Sequence, residues 1–231
     1  SILNQTYKNF EFIIVANGTN ANEVAKYINT TFSDPRIKIL TSSIGQLAYA
    51  LNLAIDHSQY NYIARMDSDD IAHKDRLEKQ LKYLIDNDLD LVGSNINLID
   101  EQNQALNKRI YPTGKKIKAT LPFKNPFAHN TILYKKEIVL KSRGYNSGFN
   151  SEDYDLWLRM NRIGVRWDNI QEPLLKYRIH TAASQRRLLG YAESTGYAMR
   201  EFLLKKNIVN LLAVFIHFLK SLIRPDRSKT D

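Results

Sequence analysis

Tyr60-Asn61-Tyr62-Ile63-Ala64-Arg65-Met66-Asp67-Ser68-Asp69-Asp70 decides the fold. Tyr60 to Met66 reads as a short strand rich in β-formers that ends abruptly in an acidic cluster. Upstream, Phe10 to Val15 is an apolar run closed by Asn17-Gly18, a helix follows from about Asn22 to Ile28, and Arg36 to Leu40 forms a second strand behind Asp34-Pro35. Gln46 to Asp56 then carries Leu47, Ala50, Leu51, Ala54 and Ile55 on one helical face. Downstream, Leu77, Leu81, Leu84 and Ile85 recur at helical spacing, and Leu89 to Val92 restores a strand before Gly93. Strands alternating with helices predict an α/β domain, with a mostly parallel sheet and helices on both faces. Ligands of such sheets gather at the carboxyl ends of strands. Asn17 and Asp67 stand at two of those ends.

From Asn95 the regularity fades into Pro112, Gly114, Pro122 and Pro126, which reads as loops and short antiparallel pieces. A helix returns from Glu152 to about Ile163, with Leu156, Trp157, Met160 and Ile163 as its apolar stripe. The 231 residues are 43% hydrophobic and 25% charged, enough for one sizeable core. Without cysteine the chain has no disulfide, thiolate metal site or cysteine nucleophile, so any metal is held by oxygen or imidazole. The formal charge of +9 suits anionic partners such as a nucleoside diphosphate or an acidic membrane face. Its basic clusters, at Lys108-Arg109, Lys115-Lys116-Ile117-Lys118 and Arg186-Arg187, lack the interleaved aromatics of a single-strand binder, and no nucleic-acid partner is expected. The start has neither a basic leader nor an apolar run, which predicts a cytoplasmic protein.

Residues two apart in an extended segment point to one face, so Asp67 and Asp69 can aim two carboxylates at one cation. Such hard oxygen ligands suit Mg²⁺ or Mn²⁺, which keep positions open for substrate phosphates. The alternative is that these acids cap the helix beginning near His73 to Arg76. A calcium loop is excluded, because Ile71 and Ala72 stand where an oxygen ligand and a glycine are needed. Ser151-Glu152-Asp153 opens a helix after a glycine-rich approach from Gly144 to Gly148, so a carboxylate there serves either as general base or as an ordinary first-turn acid. His129 and His180 are each a metal or diphosphate ligand, or a satisfied structural histidine.

Taken in order, Gln5-Thr6-Tyr7, Phe10-Glu11-Phe12-Ile13-Ile14-Val15, Asn17-Gly18-Thr19, Gly45, Ala64-Arg65-Met66-Asp67-Ser68-Asp69-Asp70, Arg76-Leu77-Glu78-Lys79-Gln80 and Glu152-Asp153-Tyr154-Asp155-Leu156-Trp157 closely resemble the family 2 inverting glycosyltransferases. The resemblance covers about residues 1–185 and implies a GT-A fold that binds a nucleotide-diphosphate sugar, a UDP-sugar foremost, beside Mg²⁺ or Mn²⁺. It implies that Asp67 and Asp69 form the Asp-x-Asp pair and that Asp153 is the general base. His180 becomes a further metal or phosphate contact, and Asn17, Arg65, Asp67 and Glu152 line the donor site. Asn17 stands where relatives carry an acidic pair, and Gln185-Arg186-Arg187-Leu188-Leu189 departs from the processive signature, so transfer of one hexose or N-acetylhexosamine to a glycan or lipid-linked glycan is expected. The alternative is an inactive or nucleotidyltransferase-like nucleotide-binding relative. Relatives begin with an additional apolar strand, and the sequence is expected to be N-terminally incomplete.

Residues 186–231 read as a helical extension. Ile208, Leu211, Leu212, Phe215, Leu219 and Leu222 fall at helical spacing, with Asn210, His217, Ser221 and Arg224 largely opposite and Lys205, Lys206, Arg224 and Arg227 around the ends. This stripe is too short for a comfortable membrane span. Either it packs on its own domain, or it lies on the inner face of the plasma membrane as a peripheral contact.

Overall fold

A computed structural model of the chain describes residues 1–146, 151–180 and 187–223. Part of the glycine-rich approach to Ser151, the expected boundary at residue 185, Gln185-Arg186, and the tail with Arg224 and Arg227 lie outside the described residues.

The first half alternates as the sequence predicts. Strand β1 (Phe12–Asn17), helix α1 (Ala21–Thr31), strand β2 (Ile37–Ser42), helix α2 (Leu47–His57) and strand β3 (Tyr62–Ala64) follow one another, then strand β4 (Ile71–Ala72) and helix α3 (Arg76–Asp86). Beyond them come β5 (Leu91–Ile99), β6 (Ala105–Arg109), α4 (Lys115–Thr120), β7 (Leu133–Lys135), α5 (Lys136–Lys141), α6 (Glu152–Arg162), β8 (Trp167–Arg178), α7 (Arg187–Leu204) and α8 (Ile208–Ile223).

The expected α/β architecture is there, but its strand pairing is mixed rather than mostly parallel. β1 and β2 pair in parallel as a two-stranded sheet. The six-stranded sheet runs β3-β7-β5-β8-β4 with β6 on β5, and only β5 and β8 are parallel within it. The turn between β5 and β6 is too short to return a strand other than antiparallel, while the antiparallel pairs β3–β7, β5–β7 and β4–β8 join segments distant in sequence. β1 and β3 flank an apolar slot of about 250 Å³, lined by Phe12, Ile13, Leu51, Tyr62 and Ile63 among others.

Regular structure also continues past Asn95, where it was expected to fade. The Asn95 amide is satisfied on both sides, donating to the Gln171 carbonyl at 2.6 Å and accepting from the Tyr111 N–H at 2.8 Å. The β5–β8 register shifts at Asn95, and with its side chain bonded in this way β5 continues through it to Ile99. The main core lies between the large sheet and α4 and α6, where Phe127 meets Trp157 and Trp167 edge-on at 5.5 and 5.6 Å.

Three side chains stitch α3 to the strand ends. The Gln5 amide donates to the His73 carbonyl at 2.7 Å and accepts from the Leu77 N–H at 3.0 Å. Buried Arg76 donates to the Arg65 carbonyl at 2.6 Å and to Gln80 Oε1 at 2.9 Å. The Gln80 amide reaches the Val92 and Thr131 carbonyls at 3.3 and 2.6 Å. These residues fix where the chain leaves β3.

The C-terminal helix is turned the other way from a helix packed by its apolar stripe. Ala213, Val214 and His217 face the domain, while Ile208, Leu212, Phe215, Leu219 and Leu222 face outward. His217 Nε2 lies 3.0 Å from the Pro122 carbonyl and 3.2 Å from the Tyr154 hydroxyl, and Lys220 donates to the Phe123 carbonyl at 2.7 Å. Among the described residues no helix is long and apolar enough to cross a membrane.

Gln80→Leu would remove one hydrogen bond each from the Val92 and Thr131 carbonyls and from the Arg76 Nε–H. Losing such partners costs about 2–3 kcal/mol, expected as a clear drop in the urea midpoint at unchanged slope. An unchanged midpoint would show that the Gln80 bonds do not contribute.

Candidate active site

The chain leaves β3 at Arg65, whose N–H still pairs with the Ile132 carbonyl at 2.8 Å. Its side chain is buried and grips Asp67 with both terminal nitrogens, Nη1 to Oδ2 at 2.6 Å and Nη2 to Oδ1 at 2.5 Å. A two-point guanidinium clamp fixes the plane as well as the position of a carboxylate. Burial pulls the Arg65 guanidinium down in pKa, but the adjacent Asp67 charge and hydrogen bonds more than offset it and hold it above its ordinary value.

Asp67, Asp69 and Asp70 do not cap a helix. β4 intervenes, and α3 begins only at Arg76, with Asp75 at its N-cap. Instead each of the three offers a carboxylate oxygen, all within 4.8 Å of one another. Asp70 is buried and held from behind, accepting from the Arg178 N–H at 2.9 Å and from the Asn130 amide. Burial pushes its carboxyl up to about 6, against the pull of those hydrogen bonds. Asp69 is half-exposed, and His180 Nε2 lies 2.8 Å from its Oδ2. Arg178 also donates to the Asp69 carbonyl at 2.9 Å, so the end of β8 fixes the acidic loop.

Glu152 and Asp153 open α6. Asp153 accepts from its neighbour's N–H, Tyr154, at 2.6 Å through Oδ1, and from Asn125 Nδ2 at 2.5 Å through Oδ2. Burial pushes both carboxyls above their ordinary range, and repulsion from Asp153 adds to the rise at Glu152, while Arg65 pulls both down. The two interact, so they titrate as a pair. His129 sits beside them, its Nδ1 3.8 Å from Glu152 Oε1 and its Nε2 hydrogen-bonded with the Tyr145 hydroxyl at 2.9 Å. Burial, with Arg65 nearby, holds His129 well below the ordinary histidine range, so its ring is neutral near pH 7.

Arg65, Asp67, Asp69 and His180 therefore form one contiguous cluster, and the field of Arg65 extends to Glu152 and Asp153. Asn17 stands apart. It ends β1 in register with Ser42, and among the described residues no hydrogen bond or ion pair joins it to the acids. Sequence reasoning missed Asn125, Asn130, Tyr145 and Arg178, which hold the acids and His129 rather than belonging to an acidic motif. A signal for two of them was present, since Asn125 and Asn130 bracket His129 in a stretch that is otherwise apolar.

The model of glycosyl transferase family 2 matches residues 1–142. The chain is 52% identical over 227 residues to the O-antigen biosynthesis glycosyltransferase WbnJ of Escherichia coli, covering 97% of this chain and 89% of that protein. It belongs to glycosyltransferase family 2. Two solved structures have the same fold at low identity. One is S. aureus TarS 1-349 in complex with UDP-GlcNAc, with a TM-score of 0.63 at 10% identity, covering 98% of this chain and 76% of that one. The other is the mannosyltransferase PcManGT of Pyrobaculum calidifontis in complex with GDP-Man and Mn²⁺, with a TM-score of 0.60 at 15% identity, covering 97% and 70%. The fold of this family 2 glycosyltransferase is GT-A, as the sequence resemblance implied.

If Asp153 accepts a proton in the reaction, it works only when ionised, and activity is lost as pH falls through its raised pKa. The acid limb of kcat/KM is therefore expected clearly above the ~4 of an unperturbed carboxylate. A profile flat from about pH 5 to 8 would contradict this role.

Proposed function

We propose that this family 2 enzyme moves one sugar from a nucleotide-diphosphate sugar, a UDP-sugar foremost, to a glycan acceptor by inverting single displacement. The observation that carries this is the meeting, around buried Arg65, of a convergent acid loop and a second, separately held carboxylate at the start of α6. The acid loop suits a cation-bound diphosphate. The α6 carboxylate suits a base acting on an acceptor.

The donor set fits Mg²⁺ or Mn²⁺, since it consists of hard oxygens with one half-exposed member, Asp69, and an imidazole beside it. Asp67, Asp69 and His180 would hold the ion, with Asp70 kept in place behind them by Asn130 and Arg178. When bound, the ion would offset the negative charge of the departing nucleoside diphosphate. PcManGT, which carries Mn²⁺ in its solved complex, supports this choice by likeness of fold.

Asp153 takes the proton of the acceptor hydroxyl as that oxygen attacks the anomeric carbon. The bond from that carbon to the diphosphate oxygen breaks, and its electron pair leaves with the nucleoside diphosphate. Asn125 holds one Asp153 oxygen, which sets the carboxylate's orientation. Glu152 lines the sugar side with His129, whose neutral ring offers hydrogen bonding without charge. Asn17, at the end of β1, would contact the nucleotide rather than the acid cluster. A lipid-linked glycan presented at the cytoplasmic face of the plasma membrane suits this reaction, in line with the likeness to WbnJ, an O-antigen biosynthesis glycosyltransferase.

A panel of nucleotide sugars with Mg²⁺ and with Mn²⁺ tests the assignment. Asp153→Asn is expected to lower transfer by about 10²- to 10⁴-fold while the donor still raises thermal stability, whereas Asp69→Ala is expected to lose that donor response. Transfer within about threefold of the parent in Asp153→Asn would exclude it as the base.

A further inference from the structure

Among the described residues nothing covers the outward face of α8. Ile208, Leu212, Phe215, Phe218, Leu219 and Leu222 are between 48% and 67% exposed, and Leu203 and Leu204 at the end of α7 extend the patch. A contiguous exposed apolar surface of this kind marks an interaction site on a soluble fold. The helix cannot turn these residues inward, because its other face is tied down. His217 is buried against Pro122 and Tyr154, Lys220 donates to the Phe123 carbonyl, and Asn210 donates to the Glu201 and Lys205 carbonyls at 3.0 and 3.1 Å.

Charge selects the occupant. Lys205 and Lys206 stand exposed between α7 and α8, residues 202–223 hold no aspartate or glutamate, and the sequence beyond them carries Arg224, Arg227 and Lys229 against Asp226 and Asp231. A second copy pairing α8 against α8 would offer Lys205 and Lys206 no carboxylate from residues 202–223 in either orientation. An anionic lipid surface accepts both features at once, the apolar row at the acyl boundary and Lys205 and Lys206 at the headgroups. The 16-residue helix is about 24 Å long, and among the described residues no helix meets the length and hydropathy needed to cross a membrane.

We propose that the outward face of α8, with Leu203 and Leu204, docks flat on an anionic bilayer, and that the inner face of the same helix registers the catalytic helix to that surface. The second part rests on the transferase reading of Asp153. His217 touches Tyr154, the residue after Asp153, and His217 and Lys220 hold the carbonyls of Pro122 and Phe123, just ahead of Asn125, the residue that holds Asp153. Docking thus sets the distance and tilt of the base above the lipid plane, which suits an acceptor whose sugar stands on a lipid carrier.

Co-sedimentation of the full chain with vesicles of phosphatidylcholine alone, or with added phosphatidylglycerol, tests the docking. Binding is expected only with the anionic lipid, weakening with salt. The triple variant Leu212→Ser, Phe215→Ser, Leu219→Ser is expected to lose at least about tenfold in affinity, and Lys205→Gln with Lys206→Gln about tenfold. The Asp69→Ala variant, impaired in donor response, is expected to bind vesicles unchanged, which separates this inference from the transferase reading. Binding indifferent to phosphatidylglycerol would overturn the proposal. So would unaltered binding of the triple variant, or a dimer in sedimentation that the triple variant converts to monomer.

Discussion

Two arginines buried side by side constrain the rest of the site. Arg76 is wholly enclosed and hydrogen-bonds the carbonyl of Arg65, whose own guanidinium clamps Asp67. Burial and the neighbouring charge of Arg65 lower Arg76 to about 9, so both are cationic near neutral pH. Burying two like charges is costly unless opposite charge lies close by. Asp67 and Asp70 provide it, and both act to hold Arg76 charged. The acid loop is thus required by the arginines beneath it, and the arginines are required by the loop. One consequence is that Asp67 is oriented before any ligand arrives, so little of a donor's binding energy is spent ordering it.

Asp153, the proposed base, is held by a different part of the chain. Asn125 belongs to the segment between α4 and the turn at His129, and that segment is pinned by the inner face of α8 through Pro122 and Phe123. The acid loop takes its position from β3, α3 and the end of β8. The acid loop and Asp153, proposed for the donor and the acceptor side, therefore hang on separate supports that meet at Arg65. Such a division lets the acceptor side be tied to an external surface without disturbing the nucleotide side.

The alternation of the first half, the acidic end of β3 and the acidic opening of α6 were legible because each rests on local pattern: apolar periodicity, a run of carboxylates, a helix start. Pairing direction was not local. β5 pairs with β8 across some seventy residues of sequence, and nothing in either strand alone states which way the other runs. Regularity was expected to fade from Asn95 because Pro112, Gly114, Pro122 and Pro126 follow it, whereas the partners that hold Asn95 in place, Tyr111 and Gln171, are distant in sequence. The stripe on α8 was legible, but its direction was not. A polar histidine normally faces solvent, whereas His217 finds the Pro122 carbonyl and the Tyr154 hydroxyl inside. His129 and His180 looked alike as sequence, yet one is buried beside Glu152 and the other stands half-exposed at Asp69.

The central claim is that cation-bound diphosphate and proton transfer are handled by two separately supported sets of carboxylates. Electron paramagnetic resonance titration of Mn²⁺ in the presence of UDP tests it most directly, comparing Asp69→Asn with Asp153→Asn. The account predicts that the bound Mn²⁺ signal is lost in the first variant and kept in the second. Mn²⁺ binding that survives Asp69→Asn, or that disappears in Asp153→Asn, would contradict it.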